Sequence, residues 1–182
     1  MEQTGINEKT TDKLAPIEGV EESLWAFAVS IYARENIAAL CLRAQDEHGV
    51  DVNLLLFSLW AAVNGRSVSA DGLSRADALC VDWRNLVVQP LRQQRRQWKA
   101  SAQHGKEYAA IKSLELDAER AQLGFLAGII DDVSTRVQPA ETEPARTMGI
   151  AGSNSAALLA HYGVAQHLNK ELIEALLDAC LT

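Results

Sequence analysis

The chain has 182 residues, of which 48% are hydrophobic and 5% aromatic, and a formal net charge of −7 at pH 7. Its length suits one domain with tails. The negative charge argues against binding of nucleic acid or anionic membranes by the whole surface, but it leaves local patches open. No stretch approaches the roughly 20 apolar residues that cross a bilayer, and the N-terminus does not read as a signal peptide. We therefore expect a cytoplasmic protein without membrane association.

Helical periodicity dominates the sequence. Ala and Leu fill the periodic segments and runs of Val, Ile and Thr are missing, so strands are not expected. We predict an all-α fold, a helical bundle of about five core helices with a C-terminal helical appendage. The predicted divisions are a disordered N-terminal arm at 1–18, the helical bundle at 19–137, a linker at 138–152 and a short C-terminal helical segment at 153–182.

The first three helices are predicted from apolar spacing and from residues that end or begin helices. One helix runs from about Glu21 to Ala33, and the next ends at Gly49, which readily takes a positive φ past a helix end. Asp51 then caps a third helix, Val52 to Val63, which is apolar on almost every side. Such a helix must lie at the centre of the fold, and we expect Leu55 and Trp60 to be almost fully buried.

Two long helices follow. The segment Ser74 to Asp77 resembles a capping box and is predicted to open the first of them. Pro90 should kink that helix, because it removes one backbone hydrogen bond. A break at Ser101 to Gly105 separates it from a second long helix, from about Glu107 to Val137. The linker prediction for Gln138 to Gly152 is based on its two prolines and two glycines.

The chain from Leu42 to Trp60 carries the pattern Leu-x-x-Gln-Asp-x-x-Gly-x-Asp-Val-Asn-Leu-Leu-Leu-Phe-x-Leu-Trp. In this pattern it resembles a family of bacterial all-helical proteins known as a domain of unknown function. The likeness covers roughly Ser23 to Val137. It implies an all-helical fold and a bacterial protein, and it carries over no catalytic residue and no chemistry.

A small polar cluster lies around the start of the third helix. Asp46, His48 and Asp51 are residue types that could hold a divalent metal ion. A structural interpretation is preferred, because Asp51 is explained as a helix cap and His48 as a cation near a helix C-terminus. Asn53 is the one amide in the apolar helix. A structural hydrogen bond is the preferred interpretation of Asn53, and contact with a ligand is the alternative.

Other chemistry finds no support in the sequence. The three cysteines lack metal-type spacing and are expected to be buried, reduced thiols; they are Cys41, Cys80 and Cys180. A nucleophile elbow and a phosphate-binding glycine loop are both missing from the sequence. We therefore predict no metal and no cofactor.

A basic stripe stands out against the acidic whole. Between Trp83 and Lys106 the chain has six basic residues and no acidic one. On a helical wheel the basic stripe consists of Arg84, Arg92, Arg95, Arg96 and Lys99, with Trp98 on its apolar edge. Such a stripe could bind RNA or phosphate. Alternatively, an antiparallel neighbouring helix would place Arg92 opposite Glu115 and Arg84 near Glu119, and this structural interpretation is preferred.

The favoured function is an interaction or adaptor role with a protein partner, without catalysis. The alternative is an RNA- or ribosome-associated factor that binds nucleic acid through the basic stripe. A small-molecule or metal-dependent enzyme ranks third, and a pocket lined by Asp46, His48 and Asn53 would favour it.

Overall fold

A computed structural model of the protein describes residues 19–99, 105–138, 143–164, 174–176 and 178. The predicted N-terminal arm, 1–18, lies outside them. In chain order the elements are α1 (Val20–Tyr32), α2 (Ile37–His48), α3 (Val52–Val63), β1 (Arg66–Val68), α4 (Ala70–Trp83), a π-helical turn (Arg84–Val88), α5 (Gln89–Lys99), α6 (Gly105–Gly128), α7 (Ile130–Val133), β2 (Ser134–Arg136) and α8 (Glu143–His161). The all-α prediction is confirmed. None of the described helices combines the length and apolar content that crossing a bilayer requires.

Helix α3 forms the centre of the fold because it has almost no polar side to turn towards water. All of its residues from Val52 to Ala62 are buried. Leu55 is fully buried and Trp60 is 5% exposed, as their place in the apolar helix predicted. Helices α1, α6 and α8 pack around α3.

The turn between α2 and α3 follows the predicted local chemistry. Gly49 adopts a φ of 68°, which favours glycine, and ends α2. Asp51 then caps α3, its Oδ1 atom accepting the backbone N–H groups of Asn53 at 2.8 Å and Leu54 at 3.2 Å. This tight turn sets the end of α2 beside the start of α3.

Helix α4 begins before the predicted capping box, which is therefore wrong. The side chain of Ser69 accepts the backbone N–H of Gly72 at 3.0 Å and caps the helix. Ser74, the predicted cap, instead donates to the carbonyl of Ala70 within the helix, at 3.0 Å. Gly72 is required for packing, because a Cβ atom there would lie 2.2 Å from the carbonyl oxygen of Val133.

A π-helical turn, Arg84–Val88, ends two residues before Pro90. Pro90 has no N–H to donate to the carbonyl of Leu86 one turn earlier, so a regular α-helical ladder cannot pass through this point. The backbone N–H of Gln89 bonds the carbonyl of Arg84, five residues back. The chain then continues as α5, which packs against α6.

The absence of strands was a wrong expectation. Strands β1 and β2 pair antiparallel, with Arg66 opposite Arg136 and Val68 opposite Ser134. Three residues are too few to show an alternating pattern, and the pairing satisfies backbone groups where the chain leaves α3 and α7. The predicted second long helix accordingly ends at Gly128 and not at Val137.

Helix α8 replaces most of the predicted linker, since residues 143–152 are helical. Pro144 falls in the first turn, where a missing N–H costs nothing. The helix packs mainly on α3 and α4 and buries Ile150, Ala151, Leu158 and Leu159. The predicted appendage is therefore part of the core.

The buried amide of Asn154 links α8 to α3 and β1 through hydrogen bonds. Asn154 accepts the backbone N–H of Val68 at 2.9 Å. Its Nδ2 donates to the carbonyls of Ser58 at 3.0 Å and Arg66 at 3.1 Å. Beyond α8, residues 174–176 and 178 are helical and Leu176 is buried; the rest of the predicted C-terminal segment lies outside the described residues.

Candidate functional site

A concave site with a volume of about 530 Å³ opens between helices α1, α2, α3, α5 and α6. We call this site the groove. Helix α1 contributes Trp25, Val29 and Tyr32 to its walls, which follow the i, i+4, i+7 spacing of one helix face. Helix α3 contributes Val52 and Asn53 from its first turn. A mainly apolar concavity of this volume with a few polar groups is the usual form of a binding site.

The rim of the groove exposes large apolar side chains. Val29 is 49% exposed, Leu42 42% and Leu116 50%. They come from three different helices, α1, α2 and α6, and all three line the groove. Apolar side chains gathered around a concavity characterise interaction sites, whereas single exposed ones do not.

One wall of the groove consists of ion pairs between α5 and α6. Arg92 Nε lies 3.3 Å from Glu115 Oε1, and Arg92 also bonds Glu119. Arg95 binds the Glu115 carboxylate through two nitrogens, with Nη2 3.1 Å from Oε1. Two arginines thus balance two glutamates, which makes the burial of Glu115 tolerable. Burial raises the pKa of Glu119, although the hydrogen bond from Arg92 opposes the rise.

The floor and mouth of the groove carry further polar groups. Asn53 is only 9% exposed, and its Nδ2 donates to the backbone carbonyl of Glu119 over a long 3.4 Å. Burial raises the pKa of Tyr32 to about 12, so the hydroxyl stays protonated and can both donate and accept. Lys112, on α6, forms no ion pair with any residue that the structure describes.

A second polar network lies away from the groove. Arg84 Nη1 is 2.7 Å from Asp51 Oδ2 and 2.7 Å from Asp77 Oδ1. Gln122 Nε2 donates to the same Asp51 oxygen at 2.6 Å, and the Tyr162 hydroxyl donates to Asp77 at 3.2 Å. The network joins α3, α4, α6, the residue that follows α8 and the π-helical turn, so its evident role is structural.

The four arginines of the basic stripe form ion pairs with acidic side chains of the fold. The predicted Arg92–Glu115 pair is present. The predicted approach of Arg84 to Glu119 is wrong, because Arg84 binds the two aspartates of the second network instead. Arg96 Nη2 lies 2.6 Å from Asp46 Oδ1 and ties α5 to α2.

The other two members of the predicted binding set, Trp98 and Lys99, lie at the end of α5. Lys99 is exposed and Trp98 is half-buried. Binding of a partner by these residues stays a prediction.

The predicted polar cluster is not a cluster in the structure. Asp46 pairs with Arg96, whose hydrogen bond is the main cause of a lowered Asp46 pKa. His48 lies 3.7 Å from the neighbouring glutamate, Asp51 is used by the cap and the second network, and Asn53 alone lines the groove. In the part of the chain that the structure describes, no group of three His, Cys, Asp or Glu side chains is placed to hold a metal ion.

The sequence interpretation missed most of the groove. The spacing of Trp25, Val29 and Tyr32 could have been recognised in the sequence, because it indicates a second apolar edge on α1 beside the buried one. Lys112 and Leu116 carry no such signal. They line the groove because α6 packs against α1, α3 and α5, and this packing cannot be recognised from the sequence of α6 alone.

The fold and the groove together define an all-helical protein with an apolar concavity walled by ion pairs. Residues 23–126 match the family model described as "Protein of unknown function (DUF2390)". This segment is more than half of the chain, and the protein belongs to that family, as the resemblance implied. The match includes all the described residues that line the groove. No curated protein matches the sequence, and no solved structure matches it.

Proposed function

We propose that the protein is a non-catalytic interaction protein that holds a partner protein in the groove. The observation that carries this proposal is the exposure of Val29, Leu42 and Leu116 around one concavity. Covering such side chains is favourable by about 25 cal/mol per Å² of apolar area. A contact surface is therefore already assembled in the chain alone.

The shape of the groove favours a protein over a small molecule. Small ligands usually lose 70–90% of their surface inside a pocket. Here three of the lining apolar residues, on three helices, are about half exposed. An occupant that covers all three must extend across the rim, as a segment of another protein does.

The RNA-associated alternative has weaker support. Four arginines of the basic stripe form ion pairs with acidic side chains of the fold. A phosphate bound by these arginines would compete with the carboxylates that already neutralise their charge. Lys99 remains exposed, so the same experiment should include a test for nucleic acid.

Immobilised protein should be incubated with an extract of its source organism, with and without nuclease, and the retained proteins identified by mass spectrometry. Leu116→Asp places a charge on the rim of the groove. Leu86→Asp is the matched control, because Leu86 is 76% exposed and lies outside the groove. We expect a protein that the unaltered chain and the control retain and the rim variant loses, whether or not nuclease is present.

The purified partner should then bind the unaltered protein directly. Its Kd for Leu116→Asp should be at least about tenfold higher, which corresponds to about 1.4 kcal/mol. This is a minimum, because a buried leucine contributes about 1.5–3 kcal/mol. If Leu116→Asp and Leu86→Asp bind the partner equally well, the groove does not contact the partner. Binding that nuclease abolishes would favour the RNA-associated role instead.

A further inference from the structure

Among the residues that the structure describes, the lining of the groove carries one more positive charge than negative. Its charged lining residues are Arg92, Arg95, Lys112, Glu115 and Glu119. The two arginines are paired with the two glutamates, which leaves Lys112 without an ion pair among the described residues. A cation at the mouth of an apolar groove attracts an acidic group, and it does so on a chain whose net charge is −7.

Asn53 adds an independent sign that the groove is built for an occupant. Its side chain is nine-tenths buried and lines the floor. The Nδ2 atom has only the long bond to the Glu119 carbonyl, and the amide oxygen accepts no hydrogen bond from a described residue. This oxygen is not among the solvent-inaccessible polar atoms that lack a partner, so it is open to the groove, and an occupant that covers it is expected to bring a donor.

We propose that the groove recognises an amphipathic segment of the partner that carries large apolar side chains next to an aspartate or glutamate. The apolar side chains cover Val29, Leu42 and Leu116, and the carboxylate pairs with Lys112. This inference rests on the proposed function. It adds the chemistry of the partner: an acidic group at one fixed position beside the apolar ones.

A phage-displayed library of random twelve-residue peptides provides the test. The library is selected separately on the unaltered protein, on Lys112→Glu and on Lys106→Glu. Lys106 is a matched control, since it is also an exposed lysine of α6 but lies outside the groove. Peptides from each selection are then assayed against Leu116→Asp to establish that they occupy the groove.

We expect the unaltered protein and the Lys106 control to select peptides with two or more large apolar residues and one acidic residue at a constant spacing. Lys112→Glu should keep the apolar residues and replace the acidic one with Lys or Arg. A synthetic peptide from the first selection should bind Lys112→Glu at least about fivefold more weakly, and its affinity should fall as salt rises, because salt screens an exposed ion pair.

The possible failures are distinguishable. Peptides that need the groove but carry no fixed acidic residue, or that Lys112→Glu leaves unchanged, overturn the charge recognition and leave the proposed function standing. If Leu116→Asp weakens none of the selected peptides, the groove does not take a protein segment and both proposals fail. Groove-dependent binding of dodecanoate without any groove-dependent peptide would make the occupant a small apolar acid and would likewise overturn both.

Discussion

Asp51 uses its two carboxylate oxygens for different purposes. One caps α3, and the other accepts hydrogen bonds from Arg84 and Gln122. The cap could be predicted from the sequence, because it depends on residues adjacent in the chain. The contacts to Arg84 and Gln122 could not, since they join residues 33 and 71 positions away and depend on how three helices pack.

Replacing Asp51 should therefore cost more than replacing an ordinary helix cap. Losing a cap costs about 0.5–2 kcal/mol, and breaking a buried ion pair costs about 3–5 kcal/mol. We expect Asp51→Ala to lower the free energy of unfolding by more than 3 kcal/mol on this estimate. Urea unfolding measures the change. Ser69→Ala removes only a cap, at the start of α4, and serves as control; equal losses in the two variants would contradict the double role.

Asp77 predicts a specific sensitivity to acid. Burial disfavours its charged form, but hydrogen bonds from Arg84, His161 and Tyr162 outweigh burial and hold its pKa below the ordinary value of 3.8. A carboxyl group with a lowered pKa in the folded state stabilises the fold above its unfolded pKa, and this stabilisation is lost as the pH falls below about 4.

Asp77→Asn should consequently destabilise the protein clearly at pH 7 and much less at pH 3. The measurement is the urea midpoint of both proteins at the two pH values. Asp82→Asn, at an exposed position of the same helix, should leave both midpoints nearly unchanged. A deficit of Asp77→Asn that is the same at pH 3 as at pH 7 would rule out the charged form as the stabilising one.

Ion pairs join helices α5 and α6. The face of α6 that is buried includes Glu115 and Gln122, while Leu114 is 53% exposed. A periodicity based on hydrophobicity alone places Leu114 inward and Glu115 outward, so it predicts the helix and misjudges which side faces its neighbours. The Arg92–Glu115 pair could nevertheless be anticipated, because an antiparallel arrangement of two adjacent helices restricts which residues meet.

The Arg92–Glu115 contact should show energetic coupling. Both side chains are mostly buried, at 14% and 7% exposed, and removing one leaves the other partly unpaired. We expect Arg92→Ala and Glu115→Ala each to destabilise the fold, and the double variant to lose less than the sum, with a coupling between 0.5 and about 3 kcal/mol. Chemical denaturation of the four proteins completes the cycle. Additive losses would show that the pair contributes no coupling.

At the scale of the whole molecule, the bundle and α8 are one unit. The family match ends within α6, at residue 126, yet α8 covers α3, whose apolar surface would otherwise face water. Composition suggested a linker and an appendage because glycines and prolines usually interrupt helices. Burial of Ile150, Ala151, Leu158 and Leu159 outweighs the cost of about 1 kcal/mol for each helical glycine.

Ending the chain at Gln138 should therefore destroy cooperative folding. The truncated protein loses the cover of α3 and leaves three backbone groups without their bonds to Asn154. A thermal melt followed by circular dichroism should show a broad, weak transition or none. Asn154→Leu in the full chain isolates the amide's contribution and should lower the thermal midpoint. A sharp transition in the truncated protein would instead show that the C-terminal helices are a separable appendage.

The π-helical turn between α4 and α5 limits which insertions and deletions the chain can tolerate. Each residue of an α-helix advances the direction of its side chains by about 100°. Because Pro90 fixes the place of the turn, deleting Leu91 directly after it would move Arg92 and Arg95 one position back along α5 and turn them relative to α4 by roughly that angle. The arginines would then turn away from the glutamates, and the groove would lose a wall. Substitutions in this segment are thus a smaller disturbance than any change in its length, and homologues that keep the groove should keep the spacing between Trp83 and Arg92.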